Sequence, residues 1–403
     1  MSPHPRTGRA AGALTVLLLL AACSAPDSGG SAPAGGDAPA KPSRAVTLNV
    51  LDVAGNLQLT QGMIEDFVAG HTDVISRVTY AKATAPELVG KIKAQQDAGR
   101  VDIDLVLTGV DGLSAGIQQG LWTPLLPKYA DRLPGMREYL TGAAAMQKLA
   151  GDSGVTVTYY PSGPLIEYLP GKVPDPPKSA QALLDYARAN PGAVQYARPS
   201  NSGPGRTFLM GLPYLLGDMD PKDPVNGWEK TWAYLKELDK NITLYPSGTS
   251  ETMKNLANGS AKIIATTTGW DINPRVLGTV PKEARVGALD GFHWVTDAHY
   301  AVIPRGVPAD DQAAVLMLLA HMLTREQQAK AYDQGYFYPG PAVRGVELSA
   351  APADSREAIE EYGRPEYAGL IAGHPLEVPL GAEQLVAAFD RWDREIGGAK
   401  VKK

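Results

Sequence analysis

Short apolar runs alternate with helix-length segments from Val46 onward, and this alternation constrains the fold more than any other feature. Val46–Val53 is rich in β-branched residues and leucine and reads as a strand. Ala54-Gly55-Asn56 turns it into a helix over roughly Leu57–Ala69. A second strand is predicted over Ser76–Tyr80. A helix follows over Pro86–Ala98, with Leu88, Val89, Ile92 and Ala94 as its apolar positions. Asp102–Thr108 reads as a buried strand, and Gly109–Gly120 as a turn and helix. Parallel strands need a crossover between them, usually helical. This β-α-β-α-β-α order therefore predicts an α/β fold with a mostly parallel sheet and helices on both faces.

A second unit of similar construction follows. It opens on a strand over Gly154–Tyr160, broken by Pro161-Ser162-Gly163-Pro164. Next come a helix over Ser179–Asn190, a strand over Ala193–Ala197, and a turn from Arg198 to Arg206 leading into a helix from about Thr207. Trp228–Leu238 reads as a helix and Ile242–Tyr245 as a short strand. Ser247-Gly248-Thr249 opens a helix to Asn258, and the strand Ala261–Thr268 ends in Gly269-Trp270-Asp271. Trp294–Ile303 crosses back. Asp310–Tyr332 is predicted as one long amphipathic helix, with later helices at Glu357–Tyr362 and Glu383–Ile396.

The first forty residues are different in kind. Arg6 and Arg9 precede an apolar run, Ala10–Leu20, too short to span a bilayer, which takes about 20 residues. A basic start, a short apolar core and small residues after it describe a secretory signal. Here the end is Leu20-Ala21-Ala22-Cys23, which resembles the lipobox of bacterial lipoproteins. That resemblance implies cleavage after residue 22 and a lipid on the Cys23 thiol. Residues 23–43 continue as a Ser, Gly, Ala, Pro and Asp tether with little to bury, read as disordered. Cys23 is the only cysteine, so the remaining body is expected to have no disulfide and no thiol chemistry.

Length and charge narrow the rest. About 360 residues beyond the tether suggest two domains or lobes. A net charge of −5 argues against a nucleic-acid partner. No His-x-x-x-His pair, cysteine cluster or acidic calcium loop suggests a metal, and no cofactor is expected. Gly112-Leu-Ser114-Ala-Gly116 matches a hydrolase nucleophile elbow, with His293, His299, His321 and His374 downstream. In such an elbow the strand runs straight into the first glycine. Here residues 108–111 intervene and put Ser114 inside the helix.

These pieces together resemble an extracellular solute-binding protein of an ATP-driven (ABC) importer. More narrowly, they resemble the type II periplasmic-binding group that includes polyamine, thiamine and ferric-iron binders. The resemblance is carried by the lipobox, Leu48–Ala69, and Asp102–Gly120 with Leu121-Trp-Thr-Pro-Leu125. It is also carried by Tyr245–Thr249 with Leu256–Ser260, Ala298–Pro304, Thr324–Gln328, Gly335 and Pro339. It implies one lobe from 44–155 with 300–403 returning to it, and another from 156–299. Two hinge crossings near Thr156–Tyr160 and Asp297–Ile303 would join them. A small solute would be held between the lobes and passed to a membrane permease by a monomeric, lipid-anchored receptor.

In open α/β sheets, ligands lie beyond the carboxyl ends of strands. This rule selects Asn56, Thr108 and Asp111 in the first lobe. In the second it selects Asn201, Ser202, Gly203, Arg206, Ser247, Thr249, Trp270 and Asp271, with Tyr160 and Tyr300 on the crossings. The Asn201–Arg206 turn at a helix start offers amides and a guanidinium to an anion, or is only a cap. Trp270-Asp271 offers a ring face and a carboxylate to an organic cation such as a polyamine or thiamine, or is only a packed pair. Adjacent Tyr159 and Tyr160 point to opposite faces of a strand, which argues against an iron site. Trp270, Asp271, Tyr300 and Asp111 tilt the expectation to an organic cation of the polyamine or thiamine kind; Arg206 and its glycine turn leave an anion or zwitterion as the alternative, and a sensory receptor or scaffold would use the same fold without transport.

Overall fold

The computed structural model describes residues 37–53 and 55–401. Residues 1–36, with the expected signal, Cys23 and most of the expected tether, lie outside the described residues; the end of that stretch, 37–43, is not disordered but packs on the body, with Ala38 N donating to Tyr129 Oη at 2.9 Å and Arg132 donating to Pro39 O at 2.9 Å. Eleven strands are described: β1 (Val46–Val53), β2 (Ile75–Ala83), β3 (Leu105–Thr108), β4 (Val155–Gly163), β5 (Leu165–Tyr168), β6 (Val194–Gln195), β7 (Ile263–Thr266), β8 (Arg285–Gly287), β9 (Trp294–Val302), β10 (Gly340–Pro341) and β11 (Leu376–Glu377). The helices of the first half are α1 (Leu57–Gly70), α2 (Ala85–Asp97), α3 (Val110–Gln118), α4 (Thr141–Ala150), α5 (Ala180–Ala189), α6 (Gly203–Leu216) and α7 (Glu229–Asp239). Those of the second half are α8 (Thr249–Asn258), α9 (Ile272–Val276), α10 (Ala309–Met322), α11 (Arg325–Gln328), α12 (Ala353–Tyr362), α13 (Glu366–Gly373) and α14 (Ala382–Glu395).

Two sheets result, and each organises a lobe. The larger has the order β10-β4-β9-β3-β1-β2, with β11 beside the start of β9. Its β2, β1 and β3 run parallel, as the alternating pattern predicts, and β9 and β4 run antiparallel to their neighbours. The smaller sheet has the order β6-β7-β5-β8. Strands β3, β4 and β9 are buried at every position, and β1 at every position but Thr47 and Asn49, as sheet centres covered by helices must be. Ser114 sits within α3 and is 2 % exposed, so it forms no nucleophile elbow.

The sequence reading is corrected at several places. Pro161–Pro164 does not break its strand. β4 runs to Gly163, and a register shift against β9 between Tyr160 and Gly163 absorbs the proline, which cannot donate to a ladder. Both β4 and β9 lie wholly in the larger sheet. The chain therefore passes to the smaller sheet at Pro164 and returns between Gly287 and Trp294. The long helix predicted over Asp310–Tyr332 ends at Met322. Thr324 then starts α11 by accepting a hydrogen bond from Gln327 N. Ile242–Tyr245 forms no strand; Tyr245 makes a single bridge to Val401.

The carboxy-terminal helices do not return to the first lobe alone. α14 packs along α3 there and also reaches the second lobe: Trp392 donates to Tyr196 Oη at 3.0 Å and packs edge-on against Tyr245, and Arg198 pairs with Asp393. Helix α12 touches both lobes. Near its start, Ser355 Oγ accepts from Gln334 N at 3.1 Å and Asp354 accepts from Gln334 Nε2 at 2.9 Å. At its end, Tyr362 O accepts from Arg275 at 2.7 Å. No helix among the described residues is long and apolar enough to cross a membrane.

Candidate functional site

Between the lobes lies a cleft of about 1030 Å³. Its walls come from loops at the ends of elements, as the strand-end rule predicts. The first lobe supplies Gly55, Gln58 and residues 83–85, together with Asp111 at the start of α3 and Tyr336-Phe337. The second supplies residues 201–206 at the start of α6, 247–254 at the start of α8, and Trp270 with Asn273–Pro274.

Two helix starts meet in the second-lobe wall. Ser202 caps α6, its Oγ accepting from Gly205 N at 3.1 Å. The same oxygen lies 2.8 Å from Thr249 Oγ1 on the first turn of α8. Asn201 Nδ2 donates to Ser247 O at 2.8 Å, which joins the two loops again. α8 is capped by Gly248 and has no side-chain cap of its own. Its first amides therefore lack an internal side-chain acceptor where the helix dipole is positive. Asn201, Ser202, Gly203, Ser247 and Thr249 thus come together as predicted.

Arg206 also lines the cleft, but its charge is engaged. Nη1 is 3.1 Å from Asp111 Oδ2, and Nη2 donates to Asp297 Oδ2 at 2.5 Å. Tyr160 Oη donates to that same oxygen at 2.7 Å. All four side chains are buried. Burial opposes the guanidinium charge, yet the Asp297 and Asp111 fields win and push its pKa up. The Asp111 carboxyl is pushed up by burial, against the pull of Arg206. Asp111 belongs to the first lobe and Arg206 to the second, so this pair bridges the cleft. Gln58 and Asn273 bridge it again, Nε2 to Oδ1, at 3.3 Å.

Other predicted residues stand elsewhere. Asp271 is 0 % exposed and points away from the cleft into a cage of Arg275, Arg364 and Tyr367. Trp270 alone of that dipeptide lines the wall, edge-on to Tyr336 at 5.7 Å. Tyr300 is fully buried, and its hydroxyl donates to Met146 O at 3.1 Å. Thr108 is buried, with its hydroxyl donating to Gly109 O. Asn56 is buried at the start of α1, and its amide has no partner among the described residues. Tyr160 lies one layer behind Gly203. Tyr159 points to the opposite face, its hydroxyl filling the space beside Gly142. The described residues hold no group of three or more His, Cys, Asp or Glu able to bind a metal.

Many cleft residues escaped the sequence reading, among them Glu251, Lys254 and three ring side chains. His299 lines the cleft from β9. Strand alternation carried the signal: Tyr160 pairs with Asp297, so 297 and 299 share its face and Tyr300 does not. Tyr336 and Phe337 form the aromatic wall. Their loop holds Asp333, Gln334 and Phe337 at positive φ of 27°, 51° and 51°. Such conformations cost energy for residues other than glycine and persist where surroundings impose them, commonly at functional sites.

The comparisons with known proteins agree with this geometry. The model of the family "Bacterial extracellular solute-binding protein" matches residues 62–359. The Escherichia coli K12 protein YnjB is 29% identical over 307 residues, covering 69% of this chain and 74% of that protein. Among solved structures, a putative spermidine/putrescine ABC transporter protein from Listeria monocytogenes superposes with a TM-score of 0.58 at 16% identity, over 86% of this chain and 97% of that one. The periplasmic binding protein AfuA of Actinobacillus pleuropneumoniae, with fructose-6-phosphate bound, superposes with a TM-score of 0.60 at 14% identity, over 87% and 99%. The structural neighbours share the two-lobed fold of periplasmic binding proteins. The family match spans most of the chain and takes in the smaller sheet, the larger sheet apart from β1 and β11, and most of the cleft wall. The chain therefore belongs to the bacterial extracellular solute-binding proteins.

Proposed function

We propose that this protein is the solute-binding lipoprotein of an ABC-type importer. It captures a small solute with a carboxylate or phosphate group in the interlobe cleft and hands it to a membrane permease. The meeting of the α6 and α8 amino-terminal ends in one wall carries the anionic reading. The uncapped start of α8, the hydroxyls of Ser202 and Thr249 and two positive dipole ends suit an anion. The organic-cation reading needs an available carboxylate beside Trp270. Asp271 is caged by two arginines, and Asp111 and Asp297 are shared by Arg206. The aromatic wall of Trp270 and Tyr336 then receives the body of the solute. The structural neighbours' names include both a polyamine and a sugar phosphate, so the fold does not decide between the two.

A thermal-shift screen tests this. Phosphate esters and carboxylates are expected to raise the melting temperature, since a ligand at 100 times its Kd stabilises by about 2.7 kcal/mol. Spermidine, putrescine and thiamine are expected not to. Shifts by the cations alone would reverse the charge of the proposed ligand, and no shift by any solute would sink the receptor reading.

The anchor is the second part of the proposal. The Leu20–Cys23 box supports a lipid on the Cys23 thiol. A two-chain lipid holds a protein at a membrane far better than one acyl chain. Cys23→Ala is expected to abolish incorporation of labelled palmitate and move the protein from the membrane fraction to the soluble one. Unchanged labelling would remove the anchor from the proposal.

A further inference from the structure

His299 is not explained by the helix ends or by the ion pairs. It lies on β9 with its side chain on the same face as Asp297, and it lines the cleft. The residue is 2 % exposed. Its ring stands edge-on against Phe337, with centroids 4.3 Å apart. Neither ring nitrogen has a hydrogen-bond partner among the described residues, and Nδ1 is completely buried. Burial, helped by the Arg206 charge and opposed by Asp297, pushes its pKa down to about 4. The imidazole is therefore neutral in ordinary buffers and presents one N–H donor and one lone pair.

Buried polar groups are nearly always hydrogen-bonded, and an unpaired one is costly. The neighbouring charges cannot supply the partner. Asp297 is occupied by Arg206, Tyr160 and its own neighbour's amide, and Asp111 by Arg206 and Gly112 N. The cleft that His299 lines is open to a partner, and the start of α6 opens into the same region. Gly203 leaves a gap there through which the Asp297, Tyr160 and Arg206 cluster approaches the wall.

We infer that His299 reads the solute directly: beside its anionic group the solute carries a neutral hydroxyl that exchanges hydrogen bonds with this imidazole. The inference rests on the anionic reading above and narrows the solute to hydroxylated organic anions, such as hydroxy acids or polyol phosphates. A neutral imidazole adds no net charge. It therefore selects by hydrogen bonding, and a site built to bond a hydroxyl discriminates strongly against an analogue lacking it.

The test uses pairs of equal charge: glycerol 3-phosphate against propyl phosphate, and gluconate against hexanoate, titrated by calorimetry into the full-length protein. The wild type is expected to prefer the hydroxylated member of at least one pair by tenfold or more. His299→Leu should lower that member's affinity to the level of its partner. His299→Gln, which keeps a donor and an acceptor, should retain part of the preference and serves if the leucine variant fails to fold. Equal binding of both members by the wild type overturns the inference alone, as does a preference that survives in both variants. Binding of spermidine with no binding of any anion overturns the anionic reading, and this inference with it.

Discussion

Replacing Asp271 with alanine is expected to cost about 3–5 kcal/mol of stability, the range for breaking a buried ion pair from one side. Arg364 Nη2 reaches Oδ1 at 2.7 Å and its Nε reaches Oδ2 at 2.9 Å. Arg275 approaches both oxygens at 3.1 and 3.2 Å, and Tyr367 Oη donates to Oδ2 at 2.6 Å. Alanine would leave two buried guanidinium groups with only Glu167 nearby, a buried carboxyl whose pKa burial and Asp271 push well up. Burial raises the Asp271 carboxyl pKa, but Arg364 and Arg275 outweigh it and the net shift is downward. A lowered acid pKa stabilises the fold fully above the unfolded-state value of 3.8. The contribution is lost only as pH falls through the still lower folded value. Urea unfolding at pH 7 measures the loss. A change below about 1 kcal/mol, well short of that range, together with abolished solute binding, would return Asp271 to the ligand.

Arg206→Ala is expected to have a comparable cost, with an added effect on shape. It would strand Asp111 and Asp297, both buried, and remove the ion pair that joins the lobes. We expect a loss of about 3–5 kcal/mol in urea unfolding and a larger radius of gyration in solution scattering without solute. Lysine would not restore the protein, because one ammonium cannot reproduce a guanidinium fork between two carboxylates. Arg206→Met combined with Asp111→Leu should recover part of the stability, since fewer charges remain buried unpaired. A single variant with wild-type stability and dimensions would show that the pair does not hold the lobes together.

The sequence exposed the fold better than the site, for physical reasons. Strands such as Leu105–Thr108 are continuous apolar runs, and their order alone implies parallel pairing of β2, β1 and β3. Helix starts with glycine and hydroxyl residues announce themselves locally, so the Asn201–Arg206 and Ser247–Thr249 loops were legible. Asp271 was not. Its partner Arg364 stands 93 residues away, and nothing local distinguishes a caged carboxylate from a free one. Tyr300 and His299 are neighbours on β9, and one residue along a strand reverses the face, so a place on the crossing strand does not tell which of the two meets the cleft. Tyr336 and Phe337 were hidden by a loop whose positive φ values fall on Asp333, Gln334 and Phe337 as well as on glycine. The amphipathic stripe of α14 shows that one face is covered, not which lobe covers it.

Helix α12 has a mechanical consequence. It is a rod of 10 residues, about 15 Å long, pinned to Gln334 near one end and to Arg275 at the other. While both pins hold, the separation of those two points is fixed. The halves of the molecule cannot be pulled straight apart along that edge and can only swing about it. The mouth far from the rod then travels furthest for any given rotation, and the edge beside it barely moves. A swing about that edge would open the cleft on the side away from α12.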